Sequence, residues 1–358
     1  MKKLSFTILL LAFFATILSA QAIDQPLVKV EYDSVDVITK KMVETRMEQN
    51  RQTLRLMKQD DSMVTKELVV DSLIKELLLL QGAKSAKISV NESEINNYVN
   101  NELKQQKQMM EQRLNKKLSD TEFNKLLSDM GVDIGEFKNN YRRMQTIKSY
   151  VEKEKRDFIQ NYPRPTEADA LKMFNKMVQA GQLIKPVYTK IGHIFFNTQQ
   201  KKYAQMQEIR SKAVSVQKDI ASGKISFINA VKQYSDDKSS AEKNGLLGWT
   251  GLTDPALITL FGTDTASEIV DLKKGATSAV LESESGFHIV YVFDRQEGGI
   301  PKFTDKRFPE NSDTFKDYFM EVMNQSSAEQ AFSEAMESLY NELLKEATIT
   351  YYDKGLKK

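Results

Sequence analysis

Residues 187–197 read Val-Tyr-Thr-Lys-Ile-Gly-His-Ile-Phe-Phe-Asn, and residues 285–292 read Ser-Gly-Phe-His-Ile-Val-Tyr-Val. Period-two alternation in the first segment puts Ile191, His193 and Phe195 on one face and Gly192, Ile194 and Phe196 on the other. Apolar residues on both faces predict a strand buried on both sides, which requires a sheet covered by helices above and below. The neighbouring sequence supplies them. Helical patterning covers about 200–222 and 226–234, separated by Gly223, and a short helix opens after Asp254-Pro255. Pro163, Pro165 and Pro186 precede this region and Pro301 and Pro309 follow it, so about 187–297 reads as a unit of its own.

On the N-terminal side, Val28, Val30 and Tyr32 alternate with Lys29 and Glu31, and Val35 and Val37 follow an Asp33-Ser34 turn, which predicts a β-hairpin. Thr39 then caps a switch to helical spacing. From Val64 to Ala83 the residues Leu68, Val69, Ser72, Leu73, Leu77, Leu80 and Gln81 recur at helical intervals, predicting a buried helix that ends near Gly82. Polar, Gln- and Lys-rich helix follows over about 92–117, and Asp120 and Asp133 open two more helices, the second running to about Gln160. Helix returns over about 312–346, and Ala347 to Tyr352 reads as a strand. A lone terminal strand leaves unpaired backbone groups, so the hairpin near residue 30 is its expected partner.

A length of 358 residues with 41% hydrophobic and 28% charged side chains implies two or three globular domains. Cysteine is absent, which excludes disulfides, thiol catalysis, thiolate zinc sites and lipid attachment at an N-terminal cysteine. Two histidines in the whole chain exclude His-rich metal clusters. Lys2 and Lys3, the apolar run Leu4 to Leu18 and Ala20-Gln21-Ala22 form a secretory signal pattern too short to span a bilayer. Cleavage near Ala22 would leave as many acidic as basic side chains, so neither a nucleic acid nor an anionic membrane is an expected partner. No Gly-rich phosphate loop followed by Lys-Ser/Thr is present, so no nucleotide is expected, and neither cofactor nor metal is.

His193 in the first strand, Tyr234-Ser235-Asp236-Asp237, Gly245-Leu246-Leu247-Gly248-Trp249, Lys274-Gly275 and Gly286-Phe287-His288 together resemble a parvulin-type peptidyl-prolyl isomerase domain between Ile191 and Gly298. Residues 73–95 (LIKELLLLQGAKSAKISVNESEI) resemble the N-terminal module of the SurA- and PrsA-like extracytoplasmic chaperones. The resemblance implies an α+β chain. A helical chaperone module over residues 23–165 is completed by a C-terminal helix and strand over 299–358. An antiparallel parvulin sheet with FKBP-like flanking helices is inserted at 187–298, after a linker at 166–186 and behind the signal peptide at 1–22.

It further implies that His193 and His288 face each other in a hydrogen-bonded network with Asp237, with Ser285 nearby, as catalytic residues. Leu252, Leu257, Phe261 and Phe287 are the candidate walls of a proline pocket. Gly245-Leu246-Leu247-Gly248 stands where the family usually has Gly-Asp-Leu-Gly, and Leu252, Leu257 and Ile258 stand where active relatives have Met and Phe. Two functions therefore stay open: a soluble periplasmic isomerase of X-Pro bonds acting on unfolded secreted or outer-membrane polypeptides, or an ATP-independent holdase whose parvulin domain is a scaffold. Met42, Met47, Met57, Met63, Met109 and Met110 in the helical module are either core packing or an adaptable client surface.

Overall fold

The structure, a computed structural model, describes residues 24–356, so the signal sequence expected over 1–22 lies outside the described residues. Two compact units divide the chain: residues 24–163 with 327–356, and residues 164–326.

In the first unit, β1 (Pro26–Glu31) and β2 (Val35–Thr39) form the expected hairpin. The terminal strand Thr348–Tyr351 pairs antiparallel with the other edge of β1, Val28 opposite Tyr351 and Glu31 opposite Thr348. Thr39 and Thr65 cap α1 (Lys40–Leu56) and α2 (Lys66–Ser85), each accepting a backbone N–H from inside the first turn. The main core joins Val28, Val30 and Ile38 of the hairpin to Val69, Val70, Leu73, Ile74, Leu78, Leu79 and Ala83 of α2. Ala335, Leu339 and Leu343, one stripe at four-residue spacing on the C-terminal helix, close the same core. Thus both chain ends are held in one unit by burial as well as by strand pairing.

α3 (Glu92–Leu114), α4 (Asp120–Asp129) and α5 (Ile134–Glu154) build smaller cores around Ile95, Val99 and Phe137 and around Phe123 and Leu127. The helix expected to run to residue 160 breaks at Lys155 and restarts as α6 (Arg156–Gln160). Of the six methionines noted in this module, Met42, Met57, Met63 and Met109 are exposed, whereas Met47 and Met110 pack against apolar cores.

Gln81, on the buried side of α2, holds the hairpin to the helix. Its Nε2 donates to Asp36 Oδ2 at 2.6 Å and to the Val30 carbonyl at 3.3 Å, and its Oε1 accepts from the Tyr32 N–H at 2.9 Å. Gln81→Leu removes all three bonds and strands a backbone donor. It is expected to cost about 1–3 kcal/mol, measured as a lower urea midpoint for the helical unit's transition at unchanged m-value.

The second unit opens with α7 (Glu167–Gln179), begun by a Thr166–Asp169 capping box, where a linker is expected over 166–186. The reason is packing: Ala170 and Phe174 lie on one helical stripe and are buried against Phe315 and Phe319, with Phe303 beside them. Phe174 meets Phe303, Phe315 and Phe319 at centroid distances of 5.3, 5.9 and 5.7 Å. That aromatic cluster also corrects the expectation that all of 299–358 packs on the N-terminal domain, since residues up to 326 belong to the second unit.

After α7 come β3 (Tyr188–Asn197), α8 (Tyr203–Ala221), α9 (Phe227–Tyr234), α10 (Lys238–Ala241) and β4 (Leu246–Gly251). α11 (Pro255–Phe261), α12 (Thr263–Asp271), β5 (Thr277–Ser283) and β6 (Gly286–Gln296) complete the sheet region. The four strands lie in the order β4-β3-β6-β5, every pair antiparallel. Ile194, Phe196, Phe287 and Ile289 pack on one face with side chains of α8 and α9, including Ala213, Val216, Phe227 and Val231. Ile191, Val290 and Val292 pack on the other with Leu257, Phe261, Ala266 and Ile269 of α11 and α12. The strand quoted first is therefore covered on both sides, as its composition requires.

Candidate active site

Antiparallel register brings the two histidines together. Phe195 lies opposite His288 and His193 opposite Val290, so His193 and His288 are diagonal neighbours on the face covered by α11 and α12. Their Nδ1 atoms are 3.2 Å apart. Both rings are buried, at 6% and 2% exposure.

Asp237 joins them from the N-terminus of α10. Its Oδ1 accepts from the Ser239 N–H and hydroxyl and from the Ser240 N–H, which leaves Oδ2 to accept from His193 Nε2 at 2.9 Å. The loop is brought this close by Gly245, whose carbonyl accepts the His193 N–H at 2.8 Å. With φ at +81° and the His193 carbonyl 2.8 Å from where a Cβ would stand, this position needs glycine.

The array continues beyond the histidines. Ser283 Oγ lies 2.8 Å from His288 Nε2, and Ser285 Oγ lies 3.0 Å from Ser283 Oγ. Ser285 thus reaches His288 only through Ser283, which the sequence reading passed over. The signal was present, because Leu281 pairs with His288 and alternation places residue 283 on the same face. Phe195 is a second omission. Two residues on from His193, its ring lies 4.8 Å from that of His288 and stacks at 6.1 Å on that of His193.

Partial burial works to raise the Asp237 carboxyl, but hydrogen bonds from Ser240, His193 and Ser239 outweigh it and hold the group well below the usual carboxylate range. Burial, reinforced by the neighbouring His193, pushes His288 down to about 3. An ionised Asp237 accepts only, so His193 Nε2 carries a proton. With His193 in its neutral form, its Nδ1 accepts from His288 Nδ1–H, and His288 Nε2 accepts from the Ser283 hydroxyl. The hydrogen bonds then run in one direction from the serines to the carboxylate.

This geometry has an acid consequence. The ordinary value for His288 is 6.5 and the folded value about 3, so between them the unfolded chain binds the extra proton and folding weakens as pH falls. The contribution is complete above about pH 6.5 and lost towards pH 3. His288→Asn is expected to flatten that part of the curve, measured by thermal denaturation of both proteins across the window.

The apolar candidates divide. Leu257 and Phe261 of α11 lie on the histidine side, Phe261 with its ring edge-on to His288 at 5.0 Å, and both are buried in the domain's own core. Leu252, between β4 and α11, is 46% exposed. Phe287 does not belong with them: one residue before His288 on a strand, it points to the opposite face and packs in the core of Ile194, Phe196 and Phe227. Among the described residues no group of three or more His, Cys, Asp or Glu could hold a metal ion, and no helix is long and apolar enough to cross a membrane.

A helix-flanked antiparallel sheet with paired histidines and a loop aspartate defines a class, and the family comparisons agree with it. Residues 193–294 match the Rotamase family, described as the PPIC-type PPIASE domain, and residues 2–151 match the SurA-like N-terminal domain. The chain is thus SurA/PrsA-like, a helical SurA-type module carrying a parvulin-type peptidyl-prolyl cis/trans isomerase domain. It is 25% identical over 294 residues to the foldase protein PrsA of Clostridium botulinum strain Okra, covering 81% of this chain and 74% of that one. It is 34% identical over 93 residues to the chaperone SurA of Sodalis glossinidius, covering 25% of this chain and only 20% of that protein. One of two structurally related SurA-like chaperones of Campylobacter jejuni aligns over 90% of this chain and 99% of its own, at 16% identity and a TM-score of 0.35.

Proposed function

We propose that the protein is a periplasmic folding factor that holds unfolded secreted or outer-membrane polypeptides and isomerises their X-Pro bonds, with His193, His288, Asp237 and Ser285 as the catalytic group. The array of His193, His288 and Asp237 carries the reading. A planar prolyl amide owes its barrier of about 18–20 kcal/mol to resonance that places negative charge on the carbonyl oxygen and is lost in the twisted state. An anion beside that oxygen disfavours the planar form more than the twisted one. Asp237 Oδ2 is such an anion, held in place by Ser239, Ser240 and His193. The histidines then orient the carboxylate and need neither accept nor donate a proton. Leu252, Leu257 and Phe261 supply the apolar side on which a proline ring would rest.

Holding clients is assigned to the helical unit. A groove of about 1190 Å³ lies among α1, α2 and α5, with Met42, Leu73, Leu77, Leu80, Met144 and Ile147 in its lining. Extended unfolded chain offers mixed apolar side chains, and flexible thioethers accommodate them without one required shape. Relatives named chaperone and foldase favour this occupant.

A second reading, a holdase whose parvulin domain is a scaffold, is favoured by one observation: Phe261 and Leu257 are already packed in the domain's own core beside His288. Exchange between cis and trans forms of an X-Pro peptide, followed by NMR with the full chain at catalytic concentration, separates the two. Acceleration supports the isomerase; suppression of client aggregation without acceleration leaves the holdase.

A further inference from the structure

We propose that the groove of the helical unit is a methionine-oxidation site, at which conversion of Met42 and Met144 to sulfoxides releases or refuses clients. The inference rests on the reading that this groove holds unfolded polypeptide. Three thioethers line it, from Met42 on α1, Met144 on α5 and Met336 on the C-terminal helix. Met42 and Met144 are 38% and 57% exposed, so a small oxidant reaches both, while the leucines and isoleucine beside them are inert to it. The chain has no cysteine, so a thiol cannot take the oxidant first.

The oxidant class is a peroxide. A sulfur lone pair of the thioether attacks one peroxide oxygen, the S–O bond forms as the O–O bond breaks, and hydrogen peroxide leaves as water. Sulfur is oxidised, the peroxide is reduced, and the protein gains one oxygen atom. The product is a strong hydrogen-bond acceptor where an apolar surface stood, and covering it with a client strips its water without providing a donor. Binding energy that came from apolar burial at two positions is then lost, and a fall of about tenfold in client affinity is expected.

The experiment uses the full chain, untreated and after hydrogen peroxide. Peptide mapping scores sulfoxide at each methionine, circular dichroism confirms the fold, and suppression of aggregation of an unfolded client protein gives the readout. The expected result is sulfoxide at Met42 and Met144, a loss of about tenfold in protection, and recovery on treatment with methionine sulfoxide reductases and a thiol reductant. In M42L/M144L the ratio of peroxide-treated to untreated protection should return towards one, each form compared with its own control. In M57L/M63L, which removes two exposed methionines outside the groove lining, the sensitivity should remain. Protection unchanged despite sulfoxide at both positions, no sulfoxide at either, or undiminished sensitivity in M42L/M144L overturns the proposal. Absence of protection in the untreated protein has a different meaning, because it defeats the client-holding reading itself and the inference along with it.

Discussion

Asp237→Ala is expected to lower prolyl isomerisation by the full chain about 100-fold, with client protection retained. The carboxylate is the one ionised group at the histidine pair, and it is presented by four hydrogen bonds, three to Oδ1 and one to Oδ2. Removal takes away the anion and the acceptor that fixes the His193 tautomer. His193 Nε2 would then lose its partner in a largely buried site, and the directional bonding through His288 to Ser283 would have nothing to set it. Asp237→Asn separates the two effects: it keeps the size and an acceptor oxygen but no charge. If the electrostatic account holds, Asn is nearly as defective as Ala; near-normal rates in Asn would show that hydrogen bonding alone suffices. Peptide isomerisation by NMR exchange and aggregation suppression, measured on one preparation, check both halves of the prediction.

Gly286→Ala is expected to unfold the second unit. Gly286 opens β6 opposite Asn197 with φ at +152°, and a Cβ there would run into the Phe196 carbonyl. Backbone atoms of a central strand cannot yield as a side chain would, so the substitution combines an unfavourable φ with a backbone clash. A cost of about 3 kcal/mol or more is expected. Because the chain divides into two units, calorimetry should show the loss or strong downward shift of one transition, with the helical unit's transition remaining. A single transition shifted by less than a degree would contradict the strand geometry described for residues 286–288. Isomerase activity should fall with the lost transition, since Gly286 stands two residues from His288 and between it and Ser285.

Much of the site was legible in the chain because strand alternation converts residue number into face. His193 and Phe195 on one side and Ile194 and Phe196 on the other follow from period two alone, and each packs as that period demands. Applied consistently, the same rule would have moved Phe287 away from the proline pocket and brought Ser283 to His288. Residues 166–186 were harder. Ala170 and Phe174 are only one turn apart, and their partners Phe303, Phe315 and Phe319 are more than a hundred residues away, so the local pattern gave no measure of how much the helix would bury. The exposure of Met42, Met57, Met63 and Met109 was likewise invisible, since a thioether suits a core and a surface equally well.

What the amino-acid order by itself determined is local: where strands and helices begin, which faces are apolar, and that both histidines lie in strands buried on two sides. These follow from backbone sterics, capping and the two periodicities, all set within a few residues. The tertiary structure alone decided the rest. It chose the diagonal register that brings two Nδ1 atoms to 3.2 Å, the turn at Gly245 that carries Asp237 to His193, and the burial that pushes His288 down to about 3. Those depend on distances between segments up to ninety-five positions apart, and on the water that packing removes from between them.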